Sequence, residues 1–562
     1  MTRGDAEPAR TKLDRPSRAI VTALAVVLSA GFLLRLVPVV LQLISPAHTL
    51  EDPDGYAWSG AYVADHPGTW LWLRDVVQFG RYLKAPLYPS VMSALAIVWR
   101  GGFPATAAIL QVLAATAAGL AVFRIGQRLH SARAGLMATA LFMFYWPSFA
   151  SPKFGQEGLF IPLALATLAL HIECFTANLS LRMFALTGVL YTLVALTRSL
   201  PLYYLPPLLA HQVFWATDRK RAARQAAVLF ATFIIALLPY SFFISAKWGQ
   251  WVFVDTQGVR AIAETYFTDP GPHGPGMVES LTTIGRTVVA NPAHEIVLRL
   301  GFARSFFYLR GGQWLQTDAP RLTTEAGATA LKALLHLVYD PMSLLVFVGA
   351  PLGFVLARDR RVAFMLALWP LISLALMLAF LWSGGRYTAS FLPQMMLATG
   401  VLLAGGWRKP TTPMLVLALL ASAIIAVPVG MSIPLTVWGR ADYAVVFRPN
   451  AAETRQVGRT TTGEAGFNTF PDKGRIELDL TPVPAAAVAT EDGWLEVRVD
   501  EVRQRFFRIT PNHTENVILP ITTKLAFVEV RTLTAAGKPM TAPPNVDIEI
   551  IQGRANRLSY IP

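Results

Sequence analysis

Three carboxylates lie close together just after the first long apolar segment of the chain. They belong to the stretch Glu51-Asp52-Pro53-Asp54-Gly55-Tyr56, and an aromatic-rich loop follows it. An ionised carboxylate can take a proton from a reacting hydroxyl group, and its hard oxygens can also ligate a divalent cation. Because the cluster adjoins an apolar segment, we expect chemistry at a lipid boundary, with Asp52 or Asp54 as a general base or a metal ligand.

Three cations also lie at the ends of apolar segments. Lys153 and Glu157 belong to one turn, Arg198 ends a later segment, and Arg386 follows a pair of glycines. Charged groups beside membrane segments are costly and usually line a cavity or bind an ionic ligand. The three cations together could hold a phosphate or pyrophosphate group by charge-assisted hydrogen bonds. Alternatively, each side chain reaches the membrane surface or pairs with a neighbouring acid.

The amino-acid composition indicates whether water or lipid surrounds these groups. The chain has 562 residues, of which 54% are hydrophobic and 15% are charged. Several apolar runs approach or exceed the roughly 17–25 residues that cross a bilayer, so we expect a multi-span membrane protein. The formal charge of +14 lies in short Arg and Lys clusters between these runs. Since the clusters lack interleaved aromatic residues for base stacking, we expect no nucleic-acid partner.

The N-terminal residues 1–18 are polar and basic, and the apolar run 19–44 follows them. A cleaved signal peptide would have a shorter apolar core and a small-residue cleavage site. We therefore expect an uncleaved anchor and a cytoplasmic N-terminal tail. The single cysteine, Cys174, excludes an intramolecular disulfide.

Basic clusters between the apolar runs predict the orientation of the spans, because positively charged loops stay in the cytoplasm. The clusters are Arg124/Arg128/Arg133, Arg219/Lys220/Arg221/Arg224, Arg358/Arg360/Arg361 and Arg408/Lys409. About eleven spans satisfy this rule and place the C-terminus outside: 19–44, 105–125, 134–150, 157–174, 183–197, 200–216, 226–245, 331–356, 362–382, 388–405 and 412–438. The run 86–99 is short for a span, as interfacial or re-entrant helices are, so we place it on the outer face. This topology puts the carboxylates and all three cations on the outer side.

Past Arg440 the hydrophobic residues alternate with a period of two. The alternating sets are Ile476/Leu478/Leu480, Leu495/Val497/Val499 and Val546/Ile548/Ile550. Such alternation is typical of half-buried strands, and turn residues separate the sets. We therefore expect an all-β extramembrane domain of sandwich type at 441–562, after an α-helical polytopic membrane domain at 19–440.

Six short motifs occur in order along residues 19–405. They are Asp52 four positions before Tyr56, then Lys84-Ala85-Pro86-Leu87-Tyr88-Pro89, Gly155-Gln156-Glu157-Gly158-Leu159-Phe160, Leu196-Thr197-Arg198-Ser199, the segment 248–258, and Gly385-Arg386-Tyr387 with Pro393. Together they resemble the membrane-embedded glycosyltransferases of the GT-C class. The similar branch contains the dolichyl-phosphate-mannose protein mannosyltransferases and the bacterial aminoarabinose lipid A transferases. That family usually has a second acid where this chain has Pro53, so the resemblance leaves open whether Asp52 or Asp54 is catalytic.

This resemblance implies a reaction and a location. The expected reaction is the inverting transfer of a sugar from a polyprenyl-phosphate donor to a lipid, glycan or protein acceptor. It would take place on the outer face of the bacterial cytoplasmic membrane, among membrane lipids. The external loop 45–104 would carry the catalytic carboxylate, and 246–330 would be a second external segment.

Each candidate site residue then has an expected role. Asp52 or Asp54 would take the acceptor proton, and cations would stabilise the leaving lipid phosphate. The candidate substrate-binding residues are Tyr56, Arg81, Lys84, Lys153, Glu157, Arg198, Arg386 and Tyr387. Glu157 would orient a cation or the acceptor, or else cap the following helix. We assign no metal ligands and no certain cofactor, although the Asp-Pro-Asp stretch could bind a divalent cation.

Two other classes of function fit the same composition. A transporter or flippase for a lipid-linked or anionic substrate would also have buried cations, but it should show broken helices near the middle of the membrane and often an internal repeat. The sequence shows no convincing repeat, and its polar residues lie at span ends. A non-catalytic scaffold would bind through the β domain, and its carboxylate loop would be dispensable.

Overall fold

A computed structural model gives the structure of most of the chain. The described residues are 16–44, 78–79, 82–99, 102–145, 155–256, 277–290, 292, 325–380, 390–437, 448–449, 456–459, 464–470, 475–483, 493–499, 502–509, 513–514, 515–520, 526–534, 545–552 and 554–555. The chain divides into two compact units, one formed by Met1–Gly258 with Leu298–Ile433 and the other by Val259–Val297 with Pro434–Pro562.

The first unit is helical. In chain order, the helices of the described residues are α1 (Arg18–Ile44), α2 (Leu87–Val98), α3 (Phe103–Leu129), α4 (Ala132–Phe144), α5 (Glu157–Ala177), α6 (Leu181–Thr197), α7 (Pro201–Phe214), α8 (Arg219–Trp248), α9 (Met277–Ala290), α10 (Glu325–Leu356), α11 (Arg360–Phe380), α12 (Leu392–Ala404) and α13 (Thr412–Val437). All except α9 and the last four residues of α13 lie in the first unit. A short antiparallel hairpin, β1 (Gln78–Phe79) and β2 (Tyr82–Leu83), precedes α2.

Every predicted span overlaps one of these helices, and the run 86–99 forms the short helix α2. Within the described residues, five helices are long and apolar enough to cross a membrane: α1, α3, α5, α8 and the later part of α10. Other predicted spans form shorter apolar helices such as α4, α6 and α12. The helical, multi-pass class is confirmed, and the number of about eleven spans stays a prediction.

Polar residues between the apolar runs define where several helices begin and end. The side chains of Ser131, Asp218 and Asp359 accept hydrogen bonds from backbone N–H groups in the first turns of α4, α8 and α11. These caps satisfy donors that no helical carbonyl can reach. At the other ends, Asn178 (φ 54°) and Gly249 (φ 77°) adopt the left-handed backbone that terminates α5 and α8.

Ion pairs and loop contacts gather at one end of the helical unit, here called the basic end. Arg124 and Arg128 of α3 both pair with Glu173 near the end of α5. Nearby, the N–H of Asp359 donates to the carbonyl of Leu129 at 3.1 Å. Helix α5 therefore has Glu173 at the basic end, about 24 Å along its axis from Glu157 at the opposite end.

The basic clusters of the sequence all meet at this end. The backbone N–H of Arg408 donates to the carbonyl of Leu356 at 3.3 Å, and Arg361 lies over the ring of Phe175 at 5.7 Å. The exposed cations here include Arg124, Arg133, Arg219, Lys220, Arg221, Arg224, Arg358, Arg408 and Lys409. One end of the helical unit is thus strongly positive, and its cytoplasmic location stays a prediction.

His130, which follows α3, contacts the loop that follows α12. Its Nε2 atom lies 2.8 Å from the carbonyl oxygen of Gly405. Burial lowers the pKa of His130, and the nearby Arg358 charge also lowers it, although the hydrogen bond to Gly405 acts in the opposite direction. A carbonyl oxygen can only accept, so Nε2 carries the proton of this hydrogen bond.

The second unit contains the C-terminal β region, which consists of two antiparallel five-stranded sheets. The strands are β3 (Arg448–Pro449), β4 (Gln456–Arg459), β5 (Glu464–Phe470), β6 (Arg475–Val483), β7 (Gly493–Val499), β8 (Val502–Arg508), β9 (Glu515–Pro520), β10 (Ala526–Thr534), β11 (Asn545–Gln552) and β12 (Arg554–Ala555). One sheet has the order β12-β5-β10-β7-β8, and the other has the order β3-β4-β11-β6-β9.

Alternating apolar side chains from both sheets form one buried cluster. The members are Ile476, Leu478, Leu480, Val517, Leu519, Val546 and Ile548 from one sheet, and Leu495, Val497, Val528 and Val530 from the other. Two sheets that share a core in this way form a sandwich. Since each such side chain contributes about 1.5–3 kcal/mol on burial, the cluster is the main source of stability in this region.

Candidate functional site

Among the predicted site residues, the structure describes Lys84, Glu157 and Arg198. The others lie outside the described residues, and their roles stay predictions: Asp52, Asp54, Tyr56, Arg81, Lys153, Arg386 and Tyr387. The described part of the candidate site consists of Arg198 and the residues around it.

Arg198 lies at the end of the helical unit opposite the basic end. It follows the last residue of α6, and its side chain is 5% exposed. Its Nη1 atom donates to Oε1 of Glu157 at 3.0 Å and to the hydroxyl of Ser390 at 2.8 Å. The guanidinium carbon also lies 5.8 Å from the centre of the Phe160 ring. A buried charge needs such partners, because removing it from water is costly.

Glu157 is the first residue of α5. A carboxylate at this position interacts favourably with the positive end of the helix dipole. Its pairing with Arg198 adds a second interaction, and 15% of its side chain stays exposed. Both roles expected for Glu157, orienting a cation and capping a helix, are compatible with this position.

A second set of contacts joins Arg198 to the segment after α8. Ser199 donates its hydroxyl to Oδ1 of Asp255 at 3.2 Å. The next residue, Thr256, forms two hydrogen bonds with Leu83: its Oγ1 accepts from the Leu83 N–H at 2.8 Å, and its N–H donates to the Leu83 carbonyl at 3.1 Å. Leu83 immediately precedes Lys84, which is also buried. The segments 83–89, 196–199 and 248–256 are thus brought together.

A third contact joins α2, α3 and α5. The side-chain amide of Gln111 donates to the hydroxyl of Tyr88 at 2.6 Å. On its other side, Gln111 packs so closely on Gly158 that a Cβ atom there would lie 2.2 Å from Oε1 of Gln111. Only glycine fits this position without moving Gln111. Tyr88 and Glu157 therefore belong to one packed group.

Sequence reasoning did not identify three of the residues that hold this group together. Gln111 lies within a long apolar run, so nothing in its surroundings marked it. Ser390 lies between Tyr387 and Pro393 of the last motif, and Asp255 lies within the motif at 248–258. For Ser390 and Asp255, the position within a motif was the signal that could have identified the residue.

Within the described part of the chain, no group of three or more His, Cys, Asp or Glu side chains could hold a metal ion. The Asp-Pro-Asp stretch, which offered the predicted oxygen ligands, lies outside that part. The described site supplies instead a cation, a carboxylate and hydroxyl groups. This arrangement can bind an anion or stabilise developing negative charge.

The fold and this site together define a multi-pass helical membrane protein with a polar, charged group at one end of its helices. No family model and no curated protein matches the chain. Solved structures with a similar architecture include GT-C enzymes, the class that the motifs resemble. The chain is similar to the oligosaccharyltransferase of Archaeoglobus fulgidus in its apo form, at 14% identity and a TM-score of 0.43 over 74% of this chain and 56% of that one.

Two further structures are similar at the same level. Archaeal AglB from Archaeoglobus fulgidus, in complex with an inhibitory peptide and a dolichol-phosphate, is 14% identical over 75% of this chain and 56% of that one, with a TM-score of 0.42. ArnT from Cupriavidus metallidurans, bound to undecaprenyl phosphate, is 14% identical over 73% of this chain and 64% of that one, with a TM-score of 0.40. The chain spans less than two thirds of the length of each. Similarity at this level leaves the function of this chain to be inferred from its own residues.

Proposed function

We propose that this chain is a membrane glycosyltransferase. It transfers a sugar, with inversion, from a polyprenyl-phosphate donor to a lipid, glycan or protein acceptor at the outer face of the bacterial cytoplasmic membrane. The observation that carries the proposal is the contact of Arg198 with Glu157 and Ser390. It holds a permanent positive charge in a fixed position at the end of the apolar helices, where a phosphate attached to a membrane lipid would arrive.

The chemistry of the leaving group explains why such a cation is needed. When the bond between the anomeric carbon and the phosphate oxygen breaks, the lipid phosphate gains negative charge. A guanidinium already held in place stabilises that charge without reorganising during the reaction. Glu157 and Ser390 supply this preorganisation, and Lys84 is buried in the same group of segments. We assign Arg81, Lys153 and Arg386 to the same phosphate.

A carboxylate completes the proposed mechanism. The acceptor hydroxyl attacks the anomeric carbon from the face opposite the phosphate, and its proton passes to Asp52 or Asp54. The new bond to the acceptor oxygen forms as the bond to the phosphate oxygen breaks, which inverts the configuration. Tyr56 and Tyr387 would contact the substrates beside these groups.

The test is a transfer assay with the purified full-length protein in liposomes. It uses a panel of radiolabelled polyprenyl-phosphate sugars with bacterial envelope lipids, glycans and proteins as acceptors. We expect one labelled sugar to be transferred, whereas a transporter would move its substrate without forming a new glycosidic bond. Failure of every donor in the panel to give a product would contradict the proposed function.

Asparagine substitution tests the proposed base. We expect Asp52→Asn or Asp54→Asn to reduce transfer by at least about 100-fold, because an amide cannot accept the hydroxyl proton. Expression and donor binding should stay normal, since neither substitution removes a cation. Full transfer activity in both single variants and in the double variant would exclude a catalytic role for this loop.

A further inference from the structure

Three aromatic side chains form an exposed row at the same end of the helical unit as Arg198. Phe242 of α8 is 59% exposed, and Trp251 and Phe253 after the helix are 50% and 52% exposed. Their rings meet edge to face, with centres 5.4 Å apart for Phe242 and Trp251 and 5.5 Å apart for Trp251 and Phe253. This aromatic row is a continuous apolar surface.

Hydrogen bonds to α8 hold the row in place. After Gly249 the chain turns back, and the N–H of Val252 donates to the hydroxyl of Ser245 at 2.8 Å. Ser241 then donates its hydroxyl to the carbonyl of Phe253 at 2.6 Å, and Tyr240 donates to the carbonyl of Val254 at 3.0 Å. The rings are therefore presented on a fixed backbone, so a bound apolar chain need not order them.

The row and the site lie on neighbouring segments of the chain. Phe253 is two positions before Asp255, which accepts the hydrogen bond from Ser199, the residue next to Arg198. A lipid with an anionic head and a long apolar chain requires a cation for the head and an adjoining apolar surface for the chain. Arg198 and the aromatic row supply this pair of surfaces on neighbouring segments.

We propose that the aromatic row binds the polyprenyl chain of the donor while its phosphate lies at Arg198. This proposal rests on the proposed function, which assigns Arg198 to the lipid phosphate. Isoprene units are branched and apolar, so they can pack against the faces and edges of the rings through van der Waals contacts. The affinity of the protein for its donor lipid would then depend on the length of the lipid chain.

The test compares two sugar-free lipids, undecaprenyl phosphate and geranyl phosphate, which have the same head group and very different chain lengths. Binding is measured to the full-length protein in nanodiscs. We expect Trp251→Ala/Phe253→Ala to weaken the binding of undecaprenyl phosphate about tenfold, because the variant loses two ring contacts with the lipid chain. Geranyl phosphate has a far shorter chain to place against the row, so we expect it to bind the variant and the wild type equally.

Phe230→Ala is the matched control. Phe230 is an aromatic residue of the same helix, 40% exposed, and it lies about 18 Å along the axis from Phe242. Its removal should change the binding of neither lipid. A second variant, Trp251→Leu/Phe253→Leu, keeps an apolar surface at the row and should recover most of the affinity for undecaprenyl phosphate.

Three outcomes would overturn the proposal. The double alanine variant could weaken the binding of both lipids equally, or weaken the binding of neither. Alternatively, excess phosphatidylglycerol could displace undecaprenyl phosphate from the row. The last result would assign the row to bulk membrane lipid. A failure of the proposed function would give a different result: Arg198→Ala would leave the binding of both lipid phosphates unchanged.

Discussion

At the scale of single residues, Arg198 combines a permanent charge with nearly complete burial. Its side chain is 5% exposed, and its partners are one carboxylate of α5 and one hydroxyl before α12. Leaving such a charge without its partner typically costs about 3–5 kcal/mol, so the contacts contribute to folding whatever the residue does in the reaction. The same contacts fix the direction of the guanidinium before any substrate binds.

Substitutions of this group should follow a definite order. We expect Arg198→Ala to reduce kcat/KM for the donor by about 100-fold or more, because it removes the charge that we propose stabilises the leaving phosphate. Ser390→Ala removes one hydrogen bond to a charged group, worth about 1.5–3 kcal/mol, and should cost about tenfold or more. Steady-state kinetics with varied donor concentration measures both effects.

Arg133→Ala provides the matched control for these substitutions. Arg133 is an exposed arginine at the basic end, so its loss should leave kcat/KM within about twofold of the wild type.

Glu157→Gln combined with Arg198→Ala should lower kcat/KM little more than Arg198→Ala alone, since both substitutions break the same contact. Additive losses would show that Glu157 does not act through Arg198. Normal donor kinetics in the Arg198→Ala protein would show that Arg198 does not act at the phosphate.

At the scale of elements, the packing of α10 against α12 helps to place Ser390. A Cβ atom on Gly353 of α10 would lie 1.9 Å from the carbonyl oxygen of Ala398, so the two backbones are in direct contact. The hydroxyl of Thr399 donates to the carbonyl of Val346 at 3.2 Å beside this point. Since Ser390 lies two residues before α12, the position of that helix determines where the hydroxyl meets Arg198.

Gly353→Ala should therefore separate two helices. The added methyl group meets backbone rather than a movable side chain, and overpacking of this kind typically costs about 1–3 kcal/mol. We expect a lower melting temperature in detergent and a lower donor kcat/KM, because α12 and Ser390 shift together. Thermal unfolding and donor kinetics on the same preparation measure the two effects.

Gly285→Ala is the control for the glycine prediction. Gly285 is a helical glycine of α9, and a Cβ atom there would meet nothing within 4 Å. Alanine is a better helix former than glycine by about 1 kcal/mol, so this variant should be as stable as the wild type or slightly more stable. Similar melting temperatures for the two glycine variants would show that the close approach at Gly353 is unimportant.

At the scale of the whole molecule, the helical unit separates its charges into two ends. Most exposed cations of the described helical unit lie at the basic end, whereas Arg198, the motif segments and the exposed Lys247 lie at the other. Positively charged loops stay in the cytoplasm, so we predict that the basic end faces inward and that the candidate site faces outward. The C-terminal β region should then be outside the cytoplasm.

Cysteine labelling tests this orientation. The single native cysteine, Cys174, is buried, so Cys174→Ala supplies a cysteine-free background. In that background we expect Arg224→Cys to react with a membrane-impermeant thiol reagent only after spheroplasts are lysed. His513→Cys, whose wild-type side chain is 62% exposed in the β region, should react in intact spheroplasts. The reverse pattern would place the candidate site in the cytoplasm.

The sequence by itself determined most of the helices and several strands of this protein. Apolar runs predicted every described helix except α9, which lies in the predicted external segment 246–330. The alternation at 476–480 and 546–550 predicted strands β6 and β11, because hydrophobic period and run length are local properties. The types and positions of Arg198 and Glu157 were enough to single them out as candidate residues.

Only the tertiary structure decided which residues meet. Arg198 contacts Glu157 at a separation of 41 positions and Ser390 at a separation of 192 positions. Gln111 gave no local signal, yet it links Tyr88 to the start of α5. Such contacts depend on how α3, α5, α6 and α12 pack against one another, and no local pattern in a single sequence encodes that packing.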